Sequence, residues 1–463
     1  MRFPSLPSLP SLQALPSLRP RAAITQPRAL AARAVVAAHA RARALRRLIA
    51  QGALFMGTLA VGAALSANAQ TFAPKPDPTQ GDGRVSDFYR WTEAIPATPG
   101  RLLRTEPLPE LVGLPEAARQ LRILYTSTSG FDGKTPVVIS GALFIPRGTP
   151  PAGGWPVLAW GHGTVGLADI CAPSWAGRSY RDVRYLSRWL REGFAIVASD
   201  YEGLGVAGPH PLINVPMLAY GILDSARAVI RDVPGLDNRV LLVGQSQGGI
   251  GVFAAAAYQT RYAPELGVKG SVATGVIYRD PKATPIPLQR DPNKVDDSLA
   301  YGFFGFVVDQ QHDPSLKPEE VFTEQGLPLV AQARQACLSQ VASDVVGNGL
   351  TIANARLATP GPGYQKYLAD APRRSARYSE YPTLAIPHPV FIGTGADDVT
   401  PSAISQLALM RDACAAGTVV EGHLYAGLGH SATVNASLKD SVPFAKKAIA
   451  GQPIQPRCAP SLE

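Results

Sequence analysis

The sequence predicts an α/β fold: a mostly parallel sheet with helices on both faces, interrupted by an inserted, mainly helical cap. Short unbroken apolar runs alternate with helix-period segments, the signature of successive βα units. A serine flanked by glycines lies directly between one such run and an Ala-rich helical segment. The interval from Asp280 to Pro387 then breaks the alternation.

The first 69 residues stand apart. They hold nine arginines and no lysine or acidic residue, so residues 70 to 463 carry 35 basic and 35 acidic groups and the formal +9 belongs to the leader. That distribution argues against a basic body of the kind that binds nucleic acid. Ser5 to Leu18 repeats Ser-Leu-Pro, and Arg28 to Arg47 is an Ala/Arg segment. Leu48 to Ala69 is uncharged and moderately apolar, and it closes on Ala67-Asn68-Ala69, the small-x-small pattern of a signal-peptidase site. The expectation for 1–69 is a low-complexity, Arg-rich leader and signal peptide, cleaved after about Ala69 to release a secreted or periplasmic product. At 46% hydrophobic and 17% charged, the chain can build a large core.

A Pro-rich linker, 70–94, leads into the first part of the sheet domain, 95–280. Val137 to Ile145 reads as a strand that turns through Arg147 to Pro151 into a second, Pro156 to Trp160. Phe194 to Ser199 and Val240 to Val243 are apolar runs of the kind buried on both faces, with a crossover helix over Met217 to Val233 between them. Val268 to Ile277, Pro389 to Ile392 and Thr418 to Tyr425 supply further strands. The interval 281–386 holds Tyr301 to Val308 and helical stretches around Pro328 to Val345, too much for a loop. It reads as a cap, after which the domain resumes over 387–463.

Four cysteines follow the leader (Cys171, Cys337, Cys414, Cys458), none in C-x-x-C spacing, which argues against a zinc knuckle or a thioredoxin-type motif. Two disulfides are expected. Three connectivities are open; Cys171–Cys337 with Cys414–Cys458 is the one to test first, with Cys458 fastening a Pro-rich tail.

The run Val240 to Gly249 places Gly-x-Ser-x-Gly between a strand and a helix, with Ser246 at the centre. A serine in so tight a turn needs small neighbours, which Gly244 and Gly248 provide. Serine is a weak nucleophile unless a base takes its proton, so a histidine and an orienting acid must follow. His430, in the glycine-rich loop Gly427 to Ser431, suits the base, whereas His423 lies inside a strand pattern and reads as structural or surface. Asp397, just beyond a buried strand, is the first choice of acid, with Asp398 and Asp280 as alternatives. The order Ser246, Asp397, His430 is that of the α/β-hydrolases. An oxyanion hole is expected from the backbone N–H groups of Thr164, in Trp160-Gly161-His162-Gly163-Thr164, and Gln247; His162 is expected to hold its loop.

Several blocks together resemble the secretory lipase family of α/β-hydrolases. They are Trp160 to Thr164 with Cys171 to Ser174, Asp200 to Gly205 with Gly208 to Pro211, Gly244 to Gly249, and Gly395 to Pro401. The likeness extends from about residue 95 to 450. It implies a secreted serine hydrolase of carboxylic esters, often acylglycerols, with a cap over the acyl site, no cofactor, and Ser246, Asp397 and His430 as the triad. Where the family commonly has an aromatic after the His-Pro pair, this chain has Leu212-Ile213.

The expected activity is therefore esterase or lipase chemistry through an acyl-enzyme, on an ester or lipid substrate with transient contact to a lipid interface, without metal or nucleic acid. Phe303, Phe304 and Phe306 of the cap are read as binding an apolar acyl chain, against the alternative that they form the cap's own core. The competing functions are peptide or amide hydrolysis or acyl transfer on the same triad, and a non-catalytic hydrolase-like binding protein. Fold alone does not separate these.

Overall fold

The computed structural model describes residues 83–279, 291–371 and 378–463; the leader, the Ala69 cleavage site and Asp280 lie outside the described residues. Nine strands form one sheet: β1 (Leu102–Pro107), β2 (Ala117–Thr128), β3 (Pro136–Pro146), β4 (Trp155–Gly161), β5 (Ala195–Ser199), β6 (Leu236–Gln245), β7 (Val268–Thr274), β8 (Val390–Gly395) and β9 (Val420–Tyr425). Their order is β1-β2-β3-β5-β4-β6-β7-β8-β9. The pairings β1/β2, β2/β3 and β3/β5 are antiparallel, and those from β5 through β4, β6, β7 and β8 to β9 are parallel.

Sequence patterning missed β1 and β2 for a physical reason. Arg122 breaks the apolar run of β2, yet it is only 5% exposed. Its guanidinium is paired with Glu106 of β1, donates to the Ser174 carbonyl at 3.0 Å, and lies over the rings of Phe88, Tyr89 and Trp175. A polar residue satisfied this fully is interior, and alternation counts cannot register it.

The central strands are apolar throughout because both faces are covered. On β6, Val240 and Leu242 pack toward the helices Val215–Asp232 and Gln247–Tyr262, while Leu241 and Val243 pack toward Tyr180–Arg191 and Leu438–Ile449. The side-chain period of two thus feeds two cores from one strand. Asn214 caps Val215–Asp232, its Oδ1 accepting the Met217 N–H at 2.9 Å.

β7 and β8 are neighbours in the sheet, and the cap enters the chain between them. The cap contains the helices Ala300–His312, Leu327–Ala333, Leu338–Gly347, Ile352–Ala355 and Pro362–Ala369. Phe303, Phe304 and Phe306 are 0–1% exposed within the cap's own cluster, with Phe303 and Phe306 packed on Phe322. Their assignment to an acyl-chain site is corrected accordingly: one face of Ala300–His312 is core, and the residues it turns toward a cavity lined also by Ser246 are Tyr301 and Gly302.

Both disulfides follow the pairing singled out above, Cys171–Cys337 and Cys414–Cys458. The first ties the cap to the loop after β4, where Leu338 N–H also donates to the Val165 carbonyl at 2.7 Å. The second fastens the tail, which runs beside β9 through Arg457 N–H to Val420 O at 2.7 Å and Glu463 N–H to Leu424 O at 2.9 Å, covering an otherwise open sheet edge. His423 bonds Glu463 at 3.1 Å in that seam. Closing a loop with a sequence separation of 44 stabilises by roughly 4 kcal/mol in the chain-entropy account.

Candidate active site

Ser246 sits at the end of β6 with φ 58° and ψ −121°, a backbone conformation rare outside glycine. The surrounding glycines are obligatory. A Cβ on Gly244 would lie 2.2 Å from the Gly248 carbonyl oxygen, and one on Gly248 would lie 1.8 Å from that of Gly161. The turn is held by Ser246 N–H donating to the Thr274 carbonyl at 2.9 Å, and the helix Gln247–Tyr262 begins immediately behind it.

His430 lies in the loop after β9, lining with Ser246 a cleft of about 760 Å³. Its Nδ1 is 2.9 Å from Oδ2 of Asp398. Asp398 is 4% exposed, and its Oδ1 accepts from Thr400 N–H and its Oδ2 from Gln406 Nε2, each at 2.9 Å. His430 is thus bonded to Asp398, the alternative acid, and not to Asp397, the first choice. The Asp397 side chain is exposed, and this residue contributes its backbone N–H to the Leu428 carbonyl at 3.0 Å. One-residue alternation in the turn after β8 sends the first carboxylate to solvent and the second inward, where Gln406 of the helix Ala403–Ala415 meets it.

Gln245 is a site residue that sequence reasoning missed. Arg181 Nη2 donates to Gln245 Oε1 at 3.0 Å, and since guanidinium only donates, the amide orientation is set. Gln245 Nε2 then faces His430 Nε2 at 3.0 Å, which must accept. The proton of neutral His430 is thereby placed on Nδ1, toward Asp398, and Nε2 is left as an acceptor.

Thr164 and Gln247 line a second cavity, of about 400 Å³, together with Ser246. The Gln247 side chain is anchored by its Nε2, which donates to the Leu212 carbonyl and to His210 Nε2, the latter at 3.1 Å. His210 donates from Nδ1 to the Glu202 carbonyl at 2.8 Å, and burial pushes its pKa down to about 4, so it is neutral. The His162 ring packs 4.3 Å from Tyr201, whose hydroxyl donates to the His162 carbonyl at 2.9 Å. Asp200 beneath accepts Ser140 Oγ at 2.7 Å, Ser174 N–H at 3.0 Å and the Ser174 hydroxyl. The Asp200 block is thus scaffold for the loop that carries Thr164.

Glu202 in the same block is buried, and desolvation pushes its carboxyl up to about 7, although bonds from Ser129 Oγ and Gly130 N–H favour the ionised form. Because the folded chain holds this proton more tightly than the unfolded chain, stability present below the unfolded pKa is lost as pH rises through 7. Glu202→Gln should flatten urea midpoints between pH 4.5 and 7, abolishing a decline of about 3 kcal/mol attributable to this group. An unchanged pH slope would refute the assignment.

The family model for secretory lipase matches residues 179–437, more than half of the chain. The chain belongs to the secretory lipase family. The match takes in Ser246, Asp398 and His430. A secreted triacylglycerol lipase, LIP4, of Malassezia globosa is 33% identical over 186 residues, 37% of this chain and 38% of the relative, so the aligned stretch spans well under half of that protein. The structure of Candida antarctica lipase A in its closed state superposes with a TM-score of 0.60 at 20% identity, covering 85% of this chain and 89% of that one. The rice cell wall degrading esterase LipA of Xanthomonas oryzae gives 0.52 at 20% identity, covering 76% and 97%. These two structural likenesses bear on the fold, which is that of the α/β-hydrolases.

Proposed function

We propose that this chain is a secreted serine hydrolase of carboxylic esters, an esterase or lipase acting on acylglycerols or other esters with apolar acyl groups. The observation that carries the reading is the Asp398–His430 hydrogen bond of 2.9 Å at a cleft shared with a backbone-strained Ser246. In this reading Ser246 Oγ attacks the ester carbonyl as His430 Nε2 takes its proton, Gln245 yielding its place on that nitrogen. Asp398 stabilises the imidazolium, and the N–H groups of Thr164 and Gln247 receive the oxyanion. His430 then protonates the leaving alcohol, and water, activated by the same base, releases the acid. The mainly apolar cavity beside Ser246 and the triacylglycerol lipase among the relatives support an acyl ester as substrate. The Arg-rich leader, the Ala67-Asn68-Ala69 site and the two disulfides support export.

A fluorophosphonate probe should add once per chain, at Ser246, by peptide mass mapping, and p-nitrophenyl esters from acetate to palmitate should be turned over. A chain that takes no label and cleaves no ester in that series overturns the proposal.

A further inference from the structure

The cavity beside Ser246 has in its wall a cation, Arg356, that is in no ion pair among the described residues. Arg356 follows the helix Ile352–Ala355, and its backbone bridges to Phe322. Its guanidinium lies 5.6 Å from the Phe322 ring centroid, and Nη1 is 3.6 Å from where a Cβ on Gly302 would be. Among the described residues, no carboxylate lies within ion-pair distance of it. By contrast, Arg122 is paired with Glu106, and Arg227 with Asp224 and Glu265. Asp296 lines the same cavity without pairing to Arg356; its Oδ1 accepts the Ser298 N–H at 2.9 Å as the cap of the turn that follows. Leu212, Ile213, Ile277, Leu299 and Ile352 make most of the remaining wall apolar.

Water can solvate Arg356 while the cavity is empty. An acyl chain that fills the cavity expels that water, and a desolvated cation without an ion-pair partner opposes binding. An acyl chain ending in a carboxylate replaces the lost water with two parallel charge-assisted hydrogen bonds, for which guanidinium is pre-shaped. We infer that Arg356 is a specificity-determining residue that selects esters whose acyl part ends in a carboxylate, that is, half-esters of dicarboxylic acids. The inference rests on the reading of Ser246 as an ester-cleaving nucleophile.

The test compares p-nitrophenyl hexanoate with the p-nitrophenyl half-ester of adipic acid, six-carbon acyl groups ending in methyl and in carboxylate. The ratio of kcat/KM, half-ester over hexanoate, should fall about tenfold or more in Arg356→Met, with hexanoate turnover maintained, and by less in Arg356→Lys. An unchanged ratio in a Met variant that still cleaves hexanoate overturns the role of Arg356 alone. Absence of turnover of either ester by the unmodified chain instead overturns the hydrolase reading beneath it. Monomethyl adipate should also inhibit the unmodified chain about tenfold more strongly than methyl hexanoate, a measurement independent of whether any variant folds. Equal inhibition counts against the proposal.

Discussion

Ser246→Ala should reduce kcat for p-nitrophenyl esters on the order of 10⁶-fold while leaving the fold intact, because in the proposed mechanism nucleophile and base act as a unit and either loss removes the acyl-enzyme route. Ser246 and His430 line the same cleft. A structural role for the serine is separable through its backbone. At φ 58° and ψ −121° any residue with a Cβ is strained, so alanine relieves nothing, whereas Ser246→Gly should be as inactive and more stable, by about 1–3 kcal/mol. Thermal or urea unfolding of the two variants beside the unmodified chain measures this directly. Equal stability of Ala and Gly variants would show that the strain is not real, and retained turnover in either would remove Ser246 from the mechanism.

Asp398→Asn should lower kcat about 10⁴-fold, and Asp397→Asn should change it by less than about threefold. An Asn side chain at 398 can donate to His430 Nδ1, which moves the imidazole proton to Nε2 and leaves no base for the serine. The same Asn can no longer stabilise the imidazolium. At 397 the side chain is exposed and only the backbone N–H is used, to hold the Leu428 carbonyl. Comparable losses in the two variants would contradict the 2.9 Å Asp398–His430 bond as the functional contact. If only Asp397→Asn were inactive, the acid assignment would reverse.

The strand Val240 to Val243, the serine turn and the glycine-rich loop of His430 could all be read in the sequence. In each, local sterics restrict the residues allowed: both faces of β6 are covered, and Gly244 and Gly248 meet backbone where a Cβ would be. That Ser246, an aspartate of the turn after β8 and His430 each lie in a loop after a strand was legible for the same reason. The choice between adjacent aspartates was not. Nothing in the local pattern says which carboxylate will meet Gln406, a contact made across a turn and a helix. Nor was Gln245 visible, because its role depends on Arg181, 64 residues away, orienting its amide toward a histidine a further 185 residues on.

The cap illustrates the same division. Its existence and helical character followed from a broken strand rhythm, but aromatic composition alone could not say whether Phe303, Phe304 and Phe306 face a ligand or one another. Packing around Phe322 buries them among themselves and leaves Tyr301 and Gly302, with Arg356 from a later helix end, to the cavity. Residue types and local spacing thus determined the strand-and-helix order, the serine turn and the place of His430, because those depend on backbone sterics and on burial of short segments. Which carboxylate bonds His430, which amide holds its tautomer and which charges line the cavity were decided only in three dimensions. Those are matters of hydrogen-bond geometry between segments far apart in the chain.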